Sequence, residues 1–188
     1  MYHSALKRGR LADSTPCHRL VLPGVTAFAW DIFDGWHDDH LHGDALYMDI
    51  PWRAGFKVFE DRAGKEYGKR THRDMLDQIN RMLGDWDGIA VLTHGRDVAD
   101  CLTGCEARFD SSLNGDPCLV SVWNASDSPG GPAEEVLAWL ADRATILVDP
   151  MCGYGRTGRY AKMRRKPAIL SDFNATCIGY IRDAWETW

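Results

Sequence analysis

The sequence predicts a three-layer α/β domain. Three observations carry that prediction: short continuous apolar runs that read as strands, amphipathic stretches between them, and a glycine turn joining one strand to the next helix. The first run, Ala45-Leu46-Tyr47-Met48-Asp49, ends on an acid. Gly88 to Thr93 and Cys118 to Trp123 follow, and Thr145 to Asp149 and Ala168 to Asp172 complete the set. Because these runs are apolar throughout instead of alternating, both faces are expected to be covered, as in a parallel sheet.

Between the runs lie helical patterns. Arg73 to Leu83 places Met75, Leu76, Ile79, Met82 and Leu83 on one face. Pro132 to Arg143 opens with a proline and acids and turns Val136, Leu137 and Leu140 inward. Gly155 to Arg165 and Ala175 to Trp185 are the last two. Residues 1–24 read as an arm with little core of its own, 25–188 as a single domain, and 53–71 and 124–131 as loops. Internal repeats and low-complexity segments are absent.

With 188 residues, 45% apolar and 26% charged, the chain is long enough to bury a core and too apolar to be disordered. No stretch approaches the roughly 18 to 20 apolar residues of a membrane span. The basic start, Met1 to Arg10, lacks the apolar segment of a secretory signal, so a cytoplasmic chain with reduced thiols is expected from its six cysteines. Cys101 and Cys105 stand one helical turn apart without a second close pair to complete a zinc site. His37-Asp38-Asp39-His40-Leu41-His42, followed by Asp44, offers zinc or iron ligands. Such stretches more often form polar loops, and no metal is assigned to it.

The net charge is −5, unevenly spread. Leu20 to Trp52 holds six aspartates and no Lys or Arg, whereas Arg53 to Asp74 holds seven basic residues against four acids. Arg156 to Lys166 adds six basic residues and no acid. Two basic stretches on an acidic chain suit a polyanion met at one face.

The sharpest feature runs from Val148 to Gly158: Asp149-Pro150-Met151-Cys152-Gly153-Tyr154-Gly155-Arg156-Thr157-Gly158. A buried strand ends at Asp149, a Gly-x-Gly turn lets a ligand approach the backbone, and the next helix offers free N–H groups. Asp172 lies nineteen residues beyond Gly153 at the end of the next strand, where ribose hydroxyls are held in Rossmann-like sites. Only sixteen residues follow Asp172, too few to finish the sheet. The remaining strands must come from the first half, which describes a circularly permuted doubly wound domain with its cofactor unit last.

Pro132 to Trp185 resembles the end of circularly permuted DNA amino-methyltransferases that use S-adenosylmethionine. Their pattern is a helix, then Asp-Pro-Phe-x-Gly-Ser-Gly-Thr-Thr-Gly, then a strand ending in an acid near an Asn. Here those positions are Asp149 to Gly158 and Asp172-Phe173-Asn174, with Met151 in place of phenylalanine and Gly131 in place of a lysine before the helix proline. The family's Asp-Pro-Pro-aromatic tetrapeptide precedes the cofactor motif in such permuted members, and Asp49-Ile50-Pro51-Trp52 stands there, Ile50 replacing a proline. The resemblance spans roughly residues 40–93 and 118–187. It implies a Rossmann-like class I methyltransferase sandwich, circularly permuted, in the β-type order of motifs. It also implies N6-adenine chemistry in DNA and S-adenosylmethionine as cofactor.

By that resemblance, Asp149, Pro150 and the 151–155 backbone, with Met151, Cys152, Gly153 and Gly155, surround the methionine moiety. Asp172 binds ribose, and Thr157 and Asn174 belong to the same site. Asp49 and the Ile50 carbonyl would each accept an N–H of the adenine amine, whose delocalised lone pair makes it a poor nucleophile. Pro51 would stiffen that turn and Trp52 would stack on a base drawn out of its helix. Arg53, Lys57, Lys65, Lys69 and Arg70 are the expected nucleic-acid contacts, positioning phosphates without reading sequence.

Only 96 residues separate Trp52 from Asp149, and the sheet consumes most of them, so no separate target-recognition domain fits. Relaxed specificity, a single-stranded substrate, or a protein partner or self-association is left to supply recognition. The same site could serve N4-cytosine or an RNA base. A catalytically inactive protein that binds cofactor or nucleic acid is the alternative of a different class. The compact size suits a phage or mobile element.

Overall fold

The computed structural model describes residues 14–34, 41–50 and 71–188. Eight strands form one sheet: β1 (Arg19–Leu22), β2 (Val25–Ala29), β3 (Ala45–Asp49), β4 (Ile89–His94), β5 (Ala107–Leu113), β6 (Asp116–Trp123), β7 (Leu147–Asp149) and β8 (Ala168–Asp172). Their order across the sheet is β1-β2-β8-β7-β3-β4-β6-β5. The five central strands, β2 to β4 in that order, run parallel, while β1, β6 and β5 pair antiparallel. Helices α1 (His72–Gly84), α2 (Ala133–Arg143), α3 (Arg156–Arg164) and α4 (Ala175–Ala184) complete the layers.

Successive residues of β3 serve opposite faces, as a pleated strand requires. Ala45 and Tyr47 join Leu137, Leu140, Ala161 and Ile178 of α2, α3 and α4, whereas Leu46 and Met48 join Met75, Leu76, Ile79 and Met82 of α1. Helices on both faces explain why the strand is apolar at every position. Each fully buried Leu, Ile or Met of this kind contributes about 1.5–3 kcal/mol relative to an exposed one. At the start of α1, Thr71 and Asp74 form a reciprocal capping box, which fixes the helix beside the strands it covers.

The five expected strands and four expected helices are all present, with β7 beginning at Leu147 instead of Thr145. Three strands escaped the sequence reading. β1 and β5 are edge strands with exposed positions, Arg19 and Val21 in one and Arg108 and Asp110 in the other, and β2 is a short stretch of mixed character. The continuous run in β6 is antiparallel, not parallel: coverage on both faces makes a strand apolar whichever way it runs. β5 and β6 form a hairpin whose two turn residues, Asn114 and Gly115, have φ of 52° and 84°. That Asn-Gly pair is a hairpin signal legible in the sequence.

The stretch expected as an arm also contributes structure. Beside β1, the Cys17 N–H donates to the Ala175 carbonyl at 2.9 Å, and Gly179 of α4 lies against Thr15. A Cβ at Gly179 would fall 2.0 Å from the Thr15 carbonyl oxygen, backbone against backbone. Gly179→Ala is therefore expected to destabilise the fold by about 1–3 kcal/mol, read as a lower denaturant midpoint. An unchanged midpoint would mean residues 14–18 do not hold this position in solution.

At the amino edge of the sheet, both Asp44 carboxylate oxygens accept from Thr145 N–H and one also from Ile146 N–H, at 2.8–3.0 Å. Slight burial raises the Asp44 carboxyl, but these bonds outweigh it and hold it below its ordinary value. They lock the start of β3 to the approach of β7, and so fix how far each strand reaches at the opposite edge. His42, exposed, shares this amino edge. His37 and His40 lie outside the described residues.

Candidate active site at the carboxyl edge of the sheet

Neighbouring strands β3, β7 and β8 each end on an aspartate. Leu46 pairs with Val148, and Asp149 pairs with Leu170, so Asp49 and Asp172 each project two residues beyond the level of Asp149. The three carboxylates thus form a notch, with Asp149 at its floor.

Asp149 is buried. One carboxylate oxygen accepts the Met151 N–H at 3.0 Å and the other accepts the Thr157 hydroxyl. Burial pushes its carboxyl up to about 7; the two hydrogen bonds oppose this, and the charges of Asp49 and Asp172 add to it. Asp172 accepts the Gly153 N–H and the Asn174 N–H, each at 2.9 Å, and burial raises it to about 6 against those bonds. Asp49 is half-buried at the strand end. Desolvation raises it to about 6, the Arg156 guanidinium pulls it down, and Glu134 pushes it up.

The loop between β7 and α3 is set by backbone demands. Gly153 and Gly155 have φ of 48° and 76°, the left-handed region where a side chain is strained. The Cys152 N–H donates to the Ser171 carbonyl, and its own carbonyl accepts the Gly155 N–H, both at 2.8 Å. α3 then opens at Arg156 with no side-chain cap, and a Cβ on Gly153 would meet nothing within 4 Å. The result is a cradle in which the Met151, Cys152, Gly153 and Gly155 N–H groups are spent within the protein, leaving the uncapped first turn of α3 to offer its own.

Two polar atoms beside this cradle are buried without a hydrogen-bond partner among the described residues: Ser171 Oγ, adjacent to Asp172, and Trp30 Nε1, just after β2. The Trp30 backbone N–H donates to the Asp172 carbonyl at 3.0 Å, so the end of β2 is tied to the acid. Buried polar atoms are ordinarily paired, so each of these calls for a partner beyond the described residues.

The remaining expected site residues sort by what their side chains touch. Thr157 is fully buried and its hydroxyl is spent on Asp149, so it orients that carboxylate. Asn174 caps α4 by accepting the Thr176 N–H at 2.9 Å. Cys152 is buried in the core with Leu170 and Ile178, leaving its backbone to shape the loop. Ile50 packs into the α1 face, and its N–H donates to the Thr93 carbonyl at 2.8 Å. Pro51, Trp52, Arg53, Lys57, Lys65, Lys69 and Arg70 lie outside the described residues.

Sequence reading missed the support behind Asp49. Tyr47, two residues earlier on the same strand face, is buried, and its hydroxyl lies 3.0 Å from Thr93 Oγ1. Burial first, and then the Asp49 charge, holds the Tyr47 phenol protonated. Much of the basic run on α3 is occupied within the domain. Arg164 pairs with Asp142 at 2.8 Å, Lys166 donates to the Asp142 and Ala144 carbonyls, and Lys162 to the Trp185 carbonyl. Arg159 and Arg165 remain exposed.

Comparison with solved structures gives the architecture a precedent. The chain shares its fold with M1.HpyAVI. Its crystal structure superposes with a TM-score of 0.54 over 85% of this chain and 98% of that one, at 15% identity. The crystal structure of the M1.HpyAVI–SAM complex superposes with a TM-score of 0.56 over 86% and 99%, at 14% identity. At the level of sequence, no family model matches the chain and no curated protein matches it. The fold is therefore a Rossmann-like three-layer α/β sandwich.

Proposed function

We propose that this chain is an S-adenosylmethionine-dependent methyltransferase that acts on the N6 amine of adenine in DNA, with its motifs in circularly permuted order. The observation that carries the reading is the notch itself. Asp49, at the head of the tetrapeptide, and Asp149, at the head of the glycine loop, end adjacent parallel strands although 100 residues separate them. The strand order β8-β7-β3-β4 sets β3, from the first half of the chain, directly beside β7, the strand that leads into the glycine loop. The likeness to a structure holding SAM supports the same reading.

The residues present fit that cofactor. The uncapped start of α3 and the open side of Gly153 would take the methionine end, with Asp149 beneath it. Asp172 would take the ribose hydroxyls: its two oxygens accept the Gly153 and Asn174 N–H groups and the Cys177 thiol, and the pair keeps lone-pair capacity for a further donor. Ser171 Oγ and Trp30 Nε1 would find partners on the same molecule. The cofactor supplies an electrophilic methyl group on sulfonium. The chain's own part is to orient the amine: Asp49 accepts one N–H and the Ile50 carbonyl the other, which favours a more tetrahedral nitrogen. Tyr47, two residues back on the strand, and Thr93, opposite Asp49 on β4, are bonded to each other beside it.

Transfer of labelled methyl from S-adenosylmethionine to single- and double-stranded oligonucleotides, with and without adenine, tests the reading. Adenine-dependent label is the expected result. Label on cytosine-only or RNA strands would reassign the substrate, and cofactor binding without label on any strand would leave a binding protein.

A further inference from the structure

The glycine loop is braced from behind by α4 and the turn after it. A Cβ at Gly155 would lie 2.4 Å from Trp188 Cη2 and 2.7 Å from Ile181 Cγ1, and a Cβ at Gly158 would lie 3.3 Å from Trp188 Cζ3. The Trp188 indole thus takes the nearest share of the space a side chain at 155 would need, with Ile181 beside it, and borders Gly158, whose Cβ position lies closest to Leu170 Cδ1 at 2.7 Å. It is itself held in place. The Trp188 backbone N–H donates to the Trp185 carbonyl at 3.3 Å, and the Trp188 ring centroid lies 5.8 Å from that of Trp185 at 59°. Trp185 is buried, and Lys162 of α3 fastens it, with its ammonium 4.8 Å from the ring centroid and donating to its carbonyl. On the other side of Gly155, Tyr154 meets Tyr180 of α4 edge to face at 5.5 Å and 87°.

We propose that Trp188 is a positioning residue for the cofactor loop, setting cofactor affinity through Gly155 and Gly158 without touching the reacting atoms. The proposal rests on the cofactor-binding reading above. A loop with glycines at positive φ on either side of Tyr154 is the most freely moving kind of backbone when unsupported. Its N–H groups bind well only if that freedom is removed before the ligand arrives. The indole removes it by closing one side of the helix start, while Tyr154 is drawn onto Tyr180 and away from the cradle.

The test compares the full chain with Trp188→Ala and Trp188→Phe. It uses amide hydrogen exchange at residues 153–158 without ligand, calorimetric affinity for S-adenosylmethionine, methyl-transfer kinetics and thermal melting. In Trp188→Ala these amides are expected to exchange faster, and Kd and KM for the cofactor to rise on the order of tenfold. At saturating cofactor, kcat is expected to stay within about twofold, and Trp188→Phe to restore most of the affinity. Unchanged exchange and affinity in Trp188→Ala would overturn the proposal. So would a Phe variant no better than the Ala variant, or a loss confined to kcat. Should Trp188→Ala not fold, Tyr180→Ala loosens the same loop from its other side and is expected to raise the cofactor Kd in the same way; an unchanged Kd there overturns the proposal. Wild type that binds no cofactor would overturn the functional reading instead, and the exchange measurement would still decide the brace.

Discussion

Replacing Asp49 with alanine is expected to lower methyl transfer by roughly 10²–10⁴-fold while leaving cofactor affinity nearly intact. The two effects separate because Asp49 and the loop occupy different strands. Asp49 ends β3, whereas the groups that would hold the cofactor belong to β7, α3 and β8. The fold should tolerate the change. Asp49 is half-buried, makes no cap or turn among the described residues, and is held in part against its own desolvation, which raises its carboxyl to about 6. Removing it relieves that cost and leaves Tyr47 and Thr93 paired with each other. Asp49→Asn is the sharper variant, since it preserves shape but turns an acceptor of two lone-pair directions into a mixed donor and acceptor. Oligonucleotide methylation under saturating cofactor, beside calorimetric cofactor binding, checks both halves. A variant that keeps its activity would remove Asp49 from the chemistry; one that loses cofactor affinity equally would place it in the cofactor site.

How much of this was legible follows from where the physics is local. The central strands could be read because each one's apolar content is dictated by helices on both faces, and three site acids could be read because each terminates such a strand. Edge strands β1 and β5 were missed because neither is a continuous buried apolar run: Arg19 and Val21 in one, and Arg108 and Asp110 in the other, face water. Thr157 and Asn174, expected at the cofactor site, also carry internal bonds that the sequence did not announce: one satisfies a buried carboxylate, the other a helix end. Gly155 was legible as a turn residue. That it also admits an indole from position 188 was not, because nothing within the loop encodes a contact made 33 residues away.

The second large effect concerns Asp149 and is a statement about pH. Its carboxyl is raised from 3.8 to about 7, and those of Asp49 and Asp172 to about 6. For acids raised in the fold, the stabilising protonated form is complete below the unfolded value near 3.8 and is lost as pH climbs through the folded values. The free protein is therefore expected to lose stability between about pH 4 and 7. For Asp149 alone, moving from 3.8 to about 7 corresponds to on the order of 4 kcal/mol. A cationic cofactor reverses the preference: the ammonium and sulfonium charges of S-adenosylmethionine favour the ionised carboxylate, so binding expels the proton. Affinity is expected to rise with pH up to about 7 and then level. Asp149→Asn should flatten that dependence and raise Kd roughly 10- to 100-fold, the value of a hydrogen bond to a charged group. The same variant should gain stability near pH 7, because it removes the buried charge while its amide oxygen can still accept the Met151 N–H and its NH2 can donate to the Thr157 hydroxyl. Calorimetry in buffers of different ionisation heat counts the released proton directly. A Kd independent of pH in the wild type, or an Asn variant with the same pH slope, would mean that Asp149 does not face the cofactor's charge.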